Sequence, residues 1–253
     1  IVEEAELHEQ SAKVSEGNVG VYCFKSPWLW NALNELSPSA NGEIYLTDLV
    51  AMAVAQSHRV EAMLLDDSGE GLGVNDGVQL ARARDIVQRR INNKWLLKGV
   101  NVMEPAFIDG TVEMEPDTII YPNTFLRGRT VIGKGGQIGP GSIIGDSVIS
   151  DGCRGVQSVV EEAVLEEGVE VGPYSHVRPE SHIGTDVHIG NFAEVKNSRI
   201  GKGTKMGHFS YVGDALVGPD VNIGAGAVTC NFDGVDKHQT IIEEGAFIGS
   251  DSM

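Results

Sequence analysis

The sequence predicts a mixed α/β segment followed by a parallel β-helix of hexapeptide repeats, for two reasons. From Val171 to Gly249, an aliphatic residue followed by a small one returns roughly every six residues. A period of six fits neither a helix, with about 3.6 residues per turn, nor a single strand, which alternates about every 2 residues. It fits short strands separated by turns, with three hexads in each triangular coil. In addition, helical spacing ends at Gly99, and the six-residue period follows it.

The repeat is dense and has two irregularities. A slip of register is predicted between Gly145 and Val171, because their positions differ by more than a whole number of hexads. An inserted loop is predicted around residues 231–237, where such folds often acquire functional contacts. Glycine after the aliphatic position is expected to turn each corner at positive φ. The aliphatic positions are Ile132, Ile138, Ile144, Val171, Val177, Ile183, Ile189, Val195, Ile200, Met206, Val212, Val217, Ile223 and Ile248.

The front of the chain reads as strands and helices in turn. Val19–Phe24 is predicted as a buried strand, and Ser26–Leu36 as a helix with Pro27 in its first turn. Leu49–Ser57 is predicted as a second helix and Arg59–Asp66 as another strand. A long helix is expected over residues 76–98, where apolar residues recur at helical spacing. These elements predict part of an α/β domain in residues 1–75, a linker helix in 76–99 and the β-helix in 100–253.

Composition narrows the classes of function. Of the 253 residues, 19 are Lys or Arg and 36 are Asp or Glu, which gives a net charge of -17. This acidity argues against nucleic acid or an anionic membrane as partner. The three cysteines are widely spaced and odd in number, so a cytoplasmic protein without a disulfide framework is expected. No signal peptide opens the chain, and Leu46–Ala55, its most apolar stretch, is too short to span a bilayer. The start at Ile1 and the stop just after a hexad suggest a fragment.

Two cations interrupt the glycine pattern. Between Val171 and Gly224, the small residue after the aliphatic one is replaced only by Arg178 and Lys196. They are three hexads apart, so they should stack on consecutive coils about 5 Å apart. Two such cations repel each other unless an anion lies between them. They are either solvated surface residues or a phosphate clamp, in which Arg offers a fork and Lys a point charge.

His208 is the candidate general base. It follows an aliphatic-glycine pair and should point outward, with Asn191 and Ala225 directly below and above it. Tyr211 should lie at the next corner, and the imidazole is expected at the same edge of the prism as the two cations. Imidazole titrates near neutral pH, which suits it to proton transfer. An ordinary surface histidine remains the alternative.

Three other histidines are not expected to bind metal. His176, His182 and His188 are spaced by six, so each falls on a different side of the triangle. Neighbouring corners are about 20 Å apart at the rise of a strand. Three such imidazoles cannot converge on one ion within a chain.

A series of motifs resembles a known family along nearly the whole chain. A match at a single position is weak evidence for a family relationship, but a series of motifs of this length in the same order is specific evidence. The sequence is similar to the bacterial bifunctional N-acetylglucosamine-1-phosphate uridylyltransferase/glucosamine-1-phosphate acetyltransferase family (GlmU). The motifs are Ile1-Val2-Glu3, Asn18-Val19-Gly20, Gly42 to Asp48, Gly73 to Asp76, Gly172-Pro173-Tyr174, Arg178-Pro179, Gly190-Asn191-Phe192, Glu194-Val195-Lys196, Gly207 to Asp214, Asn222 to Gly226, Thr229 to Gly234, Lys237, and Phe247 to Ser250.

The resemblance implies a left-handed β-helix and a homotrimer that transfers acetyl from acetyl-CoA to glucosamine 1-phosphate. It implies that His208 deprotonates the sugar amine, because a protonated amine is no nucleophile. By the same resemblance, the sugar phosphate would be held by Arg178, Lys196, Tyr211, Asn222 and Lys237. The acetyl-CoA contacts would come from Ala225, Asn231, Phe232 and Ser250. Phe232 stands where the family usually has Tyr, which removes one hydroxyl contact.

The resemblance also implies a second reaction, in which UTP and Mg²⁺ convert N-acetylglucosamine 1-phosphate to UDP-N-acetylglucosamine for cell-wall and lipopolysaccharide synthesis. Glu3, Asn18 and Asn75 match sugar-nucleotide contacts of a nucleotidyltransferase Rossmann-like domain, and Asn75 also matches a metal ligand. Asn75 could equally cap the helix that follows. The family's glycine-rich loop, its UTP-binding lysine and its metal-binding aspartate have no counterpart, and Gly77 replaces a usual Arg. No uridylyl transfer is therefore expected from this chain alone.

Two other functions remain open. The chain could be a non-catalytic scaffold, which would bind no acetyl-CoA and tolerate changes at Arg178 or Lys196. It could also be another hexapeptide acyltransferase with a different acceptor, which the motifs of the front half disfavour.

Overall fold

A computed structural model describes residues 17–39 and 42–253. The chain divides into two compact units, one up to Ile86 and one from Val87 to Met253. The helices are α1 Ser26–Leu33, α2 Asp48–Ala55, a 3-10 helix Ser68–Gly71, and α3 Gly77–Leu97. None of the described helices has the length and apolar character needed to cross a membrane. Glu3, which was assigned to sugar-nucleotide binding, lies outside the described residues.

The prediction of two strands in the front unit is wrong. The segments 19–24 and 59–66 have no strand structure, and Val21 and Met63 are 85% and 87% exposed. A strand needs a hydrogen-bonded neighbour, and within the described residues neither segment has one. Both predicted helices form but end earlier, at Leu33 and Ala55. The long helix forms nearly as predicted.

From Asn101 onward the chain forms short parallel strands. In chain order they are β1 Asn101–Val102, β2 Ala106–Ile108, β3 Glu113–Met114, β4 Ile119–Ile120, β5 Thr124–Arg127, β6 Val131–Ile132, β7 Gln137–Ile138, β8 Ile143–Gly145, β9 Val148–Ile149, β10 Arg154–Gly155, β11 Val159–Glu161, β12 Val164–Leu165, β13 Glu170–Val171, β14 His176–Val177, β15 His182–Ile183, β16 His188–Ile189, β17 Ala193–Lys196, β18 Arg199–Ile200, β19 Lys205–Met206, β20 Ser210–Gly213, β21 Ala215–Val217, β22 Asn222–Ile223, β23 Thr240–Ile242 and β24 Phe247–Ile248.

Up to β22 every third strand joins the same sheet, and β23 and β24 then extend the sheets that contain β21 and β22, which confirms the predicted parallel β-helix. Face 1 is the sheet β1-β4-β7-β10-β13-β16-β19-β22-β24, face 2 is β2-β5-β8-β11-β14-β17-β20, and face 3 is β3-β6-β9-β12-β15-β18-β21-β23. We name each edge by the two faces it joins: the chain passes the 1–2 edge, then face 2, then the 2–3 edge, then face 3.

Shortened steps explain the predicted slip of register. Ile144 pairs with Val160, so the coil there has 16 residues. By contrast, Val177 pairs with Val195 across 18 residues. Steps of five residues replace some hexads in the 144–171 interval. The fold absorbs them because each shortened corner contains a residue with positive φ, such as Glu162.

The core is a single stack of aliphatic side chains. Each two-residue strand up to β22 points one residue inward, and Val177, Ile183 and Ile189 are all completely buried. Trp95, in the last turns of α3, is 3% exposed and joins the same cluster. The end of the helix therefore covers the apolar interior of the first coils. Burial of apolar surface is the main stabilising contribution in such a stack.

Glycine after the aliphatic position has a different purpose from the one predicted. Gly172 does have positive φ, but Gly184 and Gly224 do not. A Cβ at Gly184 would lie 2.8 Å from the carbonyl oxygen of Ile200, and one at Gly224 would lie 2.6 Å from the backbone nitrogen of Ser250. Glycine is needed there because consecutive coils approach closely, not because the backbone is left-handed.

Candidate functional site

The 2–3 edge brings together the two cations that the sequence singled out. Val177 pairs with Val195, so Arg178 and Lys196 follow as neighbours on consecutive coils, as predicted. At Gly145, which belongs to the same column, an added Cβ would meet no atom within 4 Å. At Gly213, which pairs with Lys196 in the same column, an added Cβ would meet the ring and hydroxyl of Tyr211, so the column is open at Gly145 and filled by Tyr211 at Gly213.

Each cation of this edge has an acidic neighbour. Nη1 of Arg178 donates to Oε1 of Glu194 at 2.8 Å, and this hydrogen bond raises the pKa of the guanidinium. Nζ of Lys196 lies 4.0 Å from Oδ2 of Asp214, whose side chain is 15% exposed. Hydrogen bonds from Asn197 and then Asn231 lower the pKa of the Asp214 carboxyl. The edge therefore has fixed charges of both signs.

A third cation reaches this edge from the inserted loop. The neighbouring Lys237 lowers the pKa of the Lys196 ammonium, since two cations resist being held side by side. Asp214 acts in the opposite direction. Lys237 lies in an antiparallel bridge with Phe232, whose side chain is 60% exposed. Next to the lysines is an open cleft of about 570 Å³, whose lining includes Asn197, Arg199, Asp214, Lys237 and His238.

His208 lies at the opposite edge of face 2, which corrects the prediction of one shared edge. It follows β19 on face 1, whereas Lys196 ends β17 on face 2. Each step between aliphatic positions moves the chain to a new edge, and only two steps separate Val195 from Met206. The two edges are separated by the length of a face-2 strand, about 13 Å for four residues.

The 1–2 edge contains a column of predicted acetyl-CoA contacts above His208. Ile189 pairs with Met206, and Ile223 with Ile248, so Ala225 and Ser250 continue the column of Asn191 and His208, as predicted for Ala225. His208 is exposed. In the described part of the chain, its ring makes no hydrogen bond or ion pair, and only its carbonyl accepts one, from Ser210. Both ring nitrogens are therefore available to other molecules.

Beside this column lie three exposed aromatic residues that the sequence interpretation missed. The rings of Tyr174 and Phe192 stack with centroids 5.2 Å apart. Phe209, in the next coil, is 57% exposed. These aromatic residues are 18 and 17 residues apart, which equals the local coil length, so the sequence could have revealed that they form one column. The aromatic column gives the edge an apolar surface next to the imidazole.

The two remaining sugar-phosphate candidates are on different faces. Tyr211 lies on face 2, paired in register with Glu194, and so lies between the two edges. Asn222 lies on face 1, paired with Lys205 and Phe247. Of the residues assigned to the sugar phosphate, Arg178, Lys196 and Lys237 are together, Tyr211 is near them, and Asn222 is around the corner.

The other three histidines lie on three different faces, as predicted. Each pairs with a glutamate of the preceding coil: His176 with Glu161 at 2.9 Å, His182 with Glu166 at 2.7 Å, and His188 with Glu170 at 3.2 Å. The described residues contain no group of three or more His, Cys, Asp or Glu side chains that could hold a metal ion. These histidines therefore connect consecutive coils.

In the front unit, Asn75 does not cap α3. Oδ1 of Asp76 accepts the Gln79 backbone N–H at 2.7 Å, so Asp76 is the cap, and the Gln79 side chain accepts the Asn75 backbone N–H at 2.5 Å. The other candidate in this unit, Asn18, donates from Nδ2 to the Tyr22 hydroxyl at 2.5 Å. Asn75 has no cluster of carboxylates around it within the described ranges, so these residues do not fit Mg²⁺.

Comparisons with known proteins agree with the β-helix fold. The family model "Bacterial transferase hexapeptide (six repeats)" matches residues 162–197. The matched residues lie within the β-helix and agree with its hexapeptide repeats.

Relatives named "Bifunctional protein GlmU" match the whole chain. The protein of Streptococcus equi subsp. zooepidemicus is 47% identical over 255 residues, which cover 100% of this chain and 55% of the relative. That of Nostoc sp. is 42% identical over 260 residues and is covered to 56%. The chain is thus homologous along its whole length to the bifunctional GlmU proteins, and it spans about half of their length.

Solved structures show only weak overall similarity. A putative acetyltransferase of Bacillus cereus has a TM-score of 0.35 at 16% identity, covering 49% of this chain and 77% of that one. The UDP-N-acetylglucosamine acyltransferase of Francisella novicida has a TM-score of 0.34 at 15% identity, covering 59% and 54%. Similarity at this level does not bear on function.

Proposed function

We propose that the β-helix transfers the acetyl group of acetyl-CoA to the amine of glucosamine 1-phosphate. The observation that supports this most is the cluster of Arg178, Lys196 and Lys237 at the 2–3 edge of a chain with a net charge of -17. Three cations held together in so acidic a chain favour a ligand with a concentrated negative charge, such as a phosphate monoester. The homology to the GlmU proteins supports the sugar phosphate as that ligand.

In this mechanism His208 accepts a proton from the ammonium of the sugar, and the free amine attacks the thioester carbonyl. The new C–N bond forms, the C–S bond breaks, and coenzyme A leaves as a thiol by taking up the proton that the attacking nitrogen loses, while His208 afterwards releases its own proton to solvent. The ring of His208 is suited to this role, because no hydrogen bond from the described part of the chain occupies either nitrogen. Ala225 and Ser250 lie in the same column and are proposed to contact acetyl-CoA, together with Asn231 and Phe232.

The separation of the two edges supports a homotrimer as the working form. Within one chain, a strand of face 2 separates His208 from the cluster of three cations. A neighbouring chain that lies along this face could contribute the missing half of a site. We therefore propose that each acetyl-transfer site combines His208 of one chain with Arg178 and Lys196 of another.

Subunit mixing tests this arrangement directly in the full-length protein. In release of thiol from acetyl-CoA, the His208→Ala variant is expected to be nearly inactive, and the Arg178→Ala variant to be nearly inactive when glucosamine 1-phosphate is kept well below the raised KM of that variant. When they are refolded together at equal amounts, about a quarter of the sites should be intact if the two residues come from different chains. Sedimentation should show a trimer. A monomer, or a mixture that exchanges chains without regaining activity, would exclude the shared site.

We also propose that the front unit belongs to the uridylyltransferase half of the whole protein, where Asn18 and Asn75 would contact the sugar nucleotide. Because the described residues do not fit Mg²⁺, no step of that reaction is derived from them. We further propose a cytoplasmic location and small-molecule substrates. A non-catalytic scaffold is the alternative, and it would show no binding of acetyl-CoA by calorimetry.

A further inference from the structure

The inserted loop Asn231–His238 has an internal framework centred on Asp233. Oδ1 of Asp233 accepts the backbone N–H groups of Val235 and Asp236, both at 2.8 Å. Oδ2 lies 2.7 Å from Nε2 of His238, which must donate to the carboxylate. One side chain therefore ties the tip of the loop to its end. These bonds, led by the one from His238, lower the pKa of the Asp233 carboxyl to about 2.

A second set of bonds fixes the base of the loop to the β-helix. The His238 backbone N–H donates to the Asn231 carbonyl at 2.7 Å. Nδ2 of Asn231 donates to Oδ2 of Asp214 at 3.0 Å and to the His238 carbonyl at 3.1 Å. Asp214 in turn lies next to Lys196. The loop is thus fixed beside the cation to which its own lysine points.

Without these hydrogen bonds, holding Lys237 at its position would be unfavourable in free energy. Lys237 lines the same cleft as Asn197 and Asp214, and Asp214 lies next to Lys196, so two like charges are held close together and repel each other. An exposed loop of eight residues would relax away from such a contact unless internal bonds opposed it. Among the described residues of this loop, only the Asp233 side chain bonds both the tip and the residue after Lys237.

We propose that Asp233 is a positioning residue, whose bonds to His238 and to the tip of the loop hold Lys237 beside Lys196 as a paired clamp for a dianionic phosphate. Asp233 does not touch the ligand itself in this proposal. The assignment of the phosphate to a sugar substrate rests on the proposed function, but the placement of Lys237 does not.

The first test determines whether Lys237 lies beside Lys196, and it needs no substrate. Competitive labelling of amines with acetic anhydride over a range of pH, followed by mass spectrometry, measures the pKa of Lys196. Asp233→Asn is expected to raise that pKa, because Lys237 moves away, and Lys237→Met is expected to raise it as well. Asp236→Asn is the matched control, since it removes a charge from the same loop without removing a side-chain bond.

The Asp236→Asn control distinguishes the effect of moving Lys237 from the effect of removing a carboxylate. Loss of a nearby carboxylate alone makes an ammonium easier to deprotonate, which is opposite to the expected effect of Asp233→Asn. If Asp233→Asn and Asp236→Asn give the same Lys196 pKa, the proposal is overturned. Unchanged thermal unfolding of both variants would show that the β-helix is intact.

The second test reads the function of the clamp in the full-length protein. Asp233→Asn should raise the KM for glucosamine 1-phosphate about tenfold with little change in kcat, as expected for one weakened charge-assisted contact. Asp236→Asn should leave both constants unchanged. If the labelling result holds but no acetyl transfer is found with wild type, the proposed function fails and the positioning role stands. If KM is unchanged while the Lys196 pKa moves, the clamp does not bind this substrate and its assigned role is wrong.

Discussion

The two edges of face 2 differ in how their side chains are held. At the 2–3 edge, Arg178 bonds Glu194 and Lys196 lies between Asp214 and Lys237. At the 1–2 edge, His208 has no ring partner in the described chain, and its neighbours are exposed aromatic side chains. The first edge is preorganised to bind a charge, and the second leaves a proton acceptor free on an apolar surface. This division matches the two tasks of an amine-acylating enzyme, which must hold a phosphate and deprotonate an amine.

The largest effect is expected from removing the free imidazole. His208→Ala in the full-length protein should reduce kcat for acetyl transfer by about 10²–10⁴-fold, the usual contribution of a general base. His176→Ala is the matched control, because His176 is also outward-facing but bonds Glu161. Steady-state release of thiol measures both. A loss of less than about threefold for His208→Ala would remove it from the mechanism.

At the opposite edge, Arg178→Ala should act mainly on binding. We expect the KM for glucosamine 1-phosphate to rise about 10–100-fold, because a charge-assisted hydrogen bond is lost and Glu194 keeps an unpaired charge next to the phosphate. Arg154→Ala provides the control, since Arg154 pairs only loosely with Glu170 at 3.5 Å on face 1. Equal effects of the two substitutions on KM would contradict the assignment of the 2–3 edge.

The interior of the 2–3 edge gives a test of stability. The Ser198 hydroxyl donates to the Lys196 carbonyl at 2.7 Å and accepts the Ala215 N–H at 3.0 Å. The Ser181 hydroxyl, one coil below, is buried and has no hydrogen-bond partner among the described residues. Ser198→Ala should therefore lower the free energy of unfolding by about 1–3 kcal/mol. Ser181→Ala should be neutral or slightly stabilising, as measured by urea denaturation, and a clear loss there would reveal a partner.

The smallest effect is expected at the third edge, which serves as a reference without a proposed site. A hydrogen bond from His182, and then those from Thr185, lower the pKa of the Glu166 carboxyl. A depressed carboxyl pKa stabilises the fold above its unfolded value, and that contribution is lost as the pH falls through the folded value. Since the Glu166 side chain is 41% exposed, Glu166→Gln should cost less than about 1 kcal/mol at pH 7.

This difference between wild type and Glu166→Gln should shrink as the pH falls below the unfolded pKa of about 4.3, and it should vanish only below the lowered folded pKa, where the carboxylate is protonated in both states. Thermal unfolding at several pH values measures it. Glu167→Gln, one residue along the same turn, is the control and should show no such pH dependence. A difference that grows as the solution is acidified would contradict the assigned direction.

Several site residues could be placed from the sequence because spacing along a β-helix is spacing in three dimensions. The register alone put Arg178 beside Lys196, Ala225 above His208, and three histidines on three faces. The same counting predicted wrongly that His208 shares an edge with the two cations. Two steps between aliphatic positions lead to a different edge, and only a third step returns the chain to the same one. The sequence contained the correct answer there.

Other features could not be read from the pattern. The tip of the inserted loop has no period, so nothing in the sequence indicated that Asp233 would bond His238 or that Lys237 would reach Lys196. In the front unit, hydrophobic composition suggested strands over 19–24 and 59–66, but the described structure has no neighbouring strand to pair with them. Asp76, rather than Asn75, caps α3, a choice between adjacent residues that only geometry resolves.

By itself, then, the sequence determined the β-helix and the columns on its edges, because a strict six-residue period allows only one way to bury every aliphatic side chain. Only the tertiary structure decided which glycines separate backbones, which buried hydroxyl lacks a partner, and how the loop returns its lysine to the edge. Those features depend on contacts between residues from different coils, whose distances no local pattern specifies.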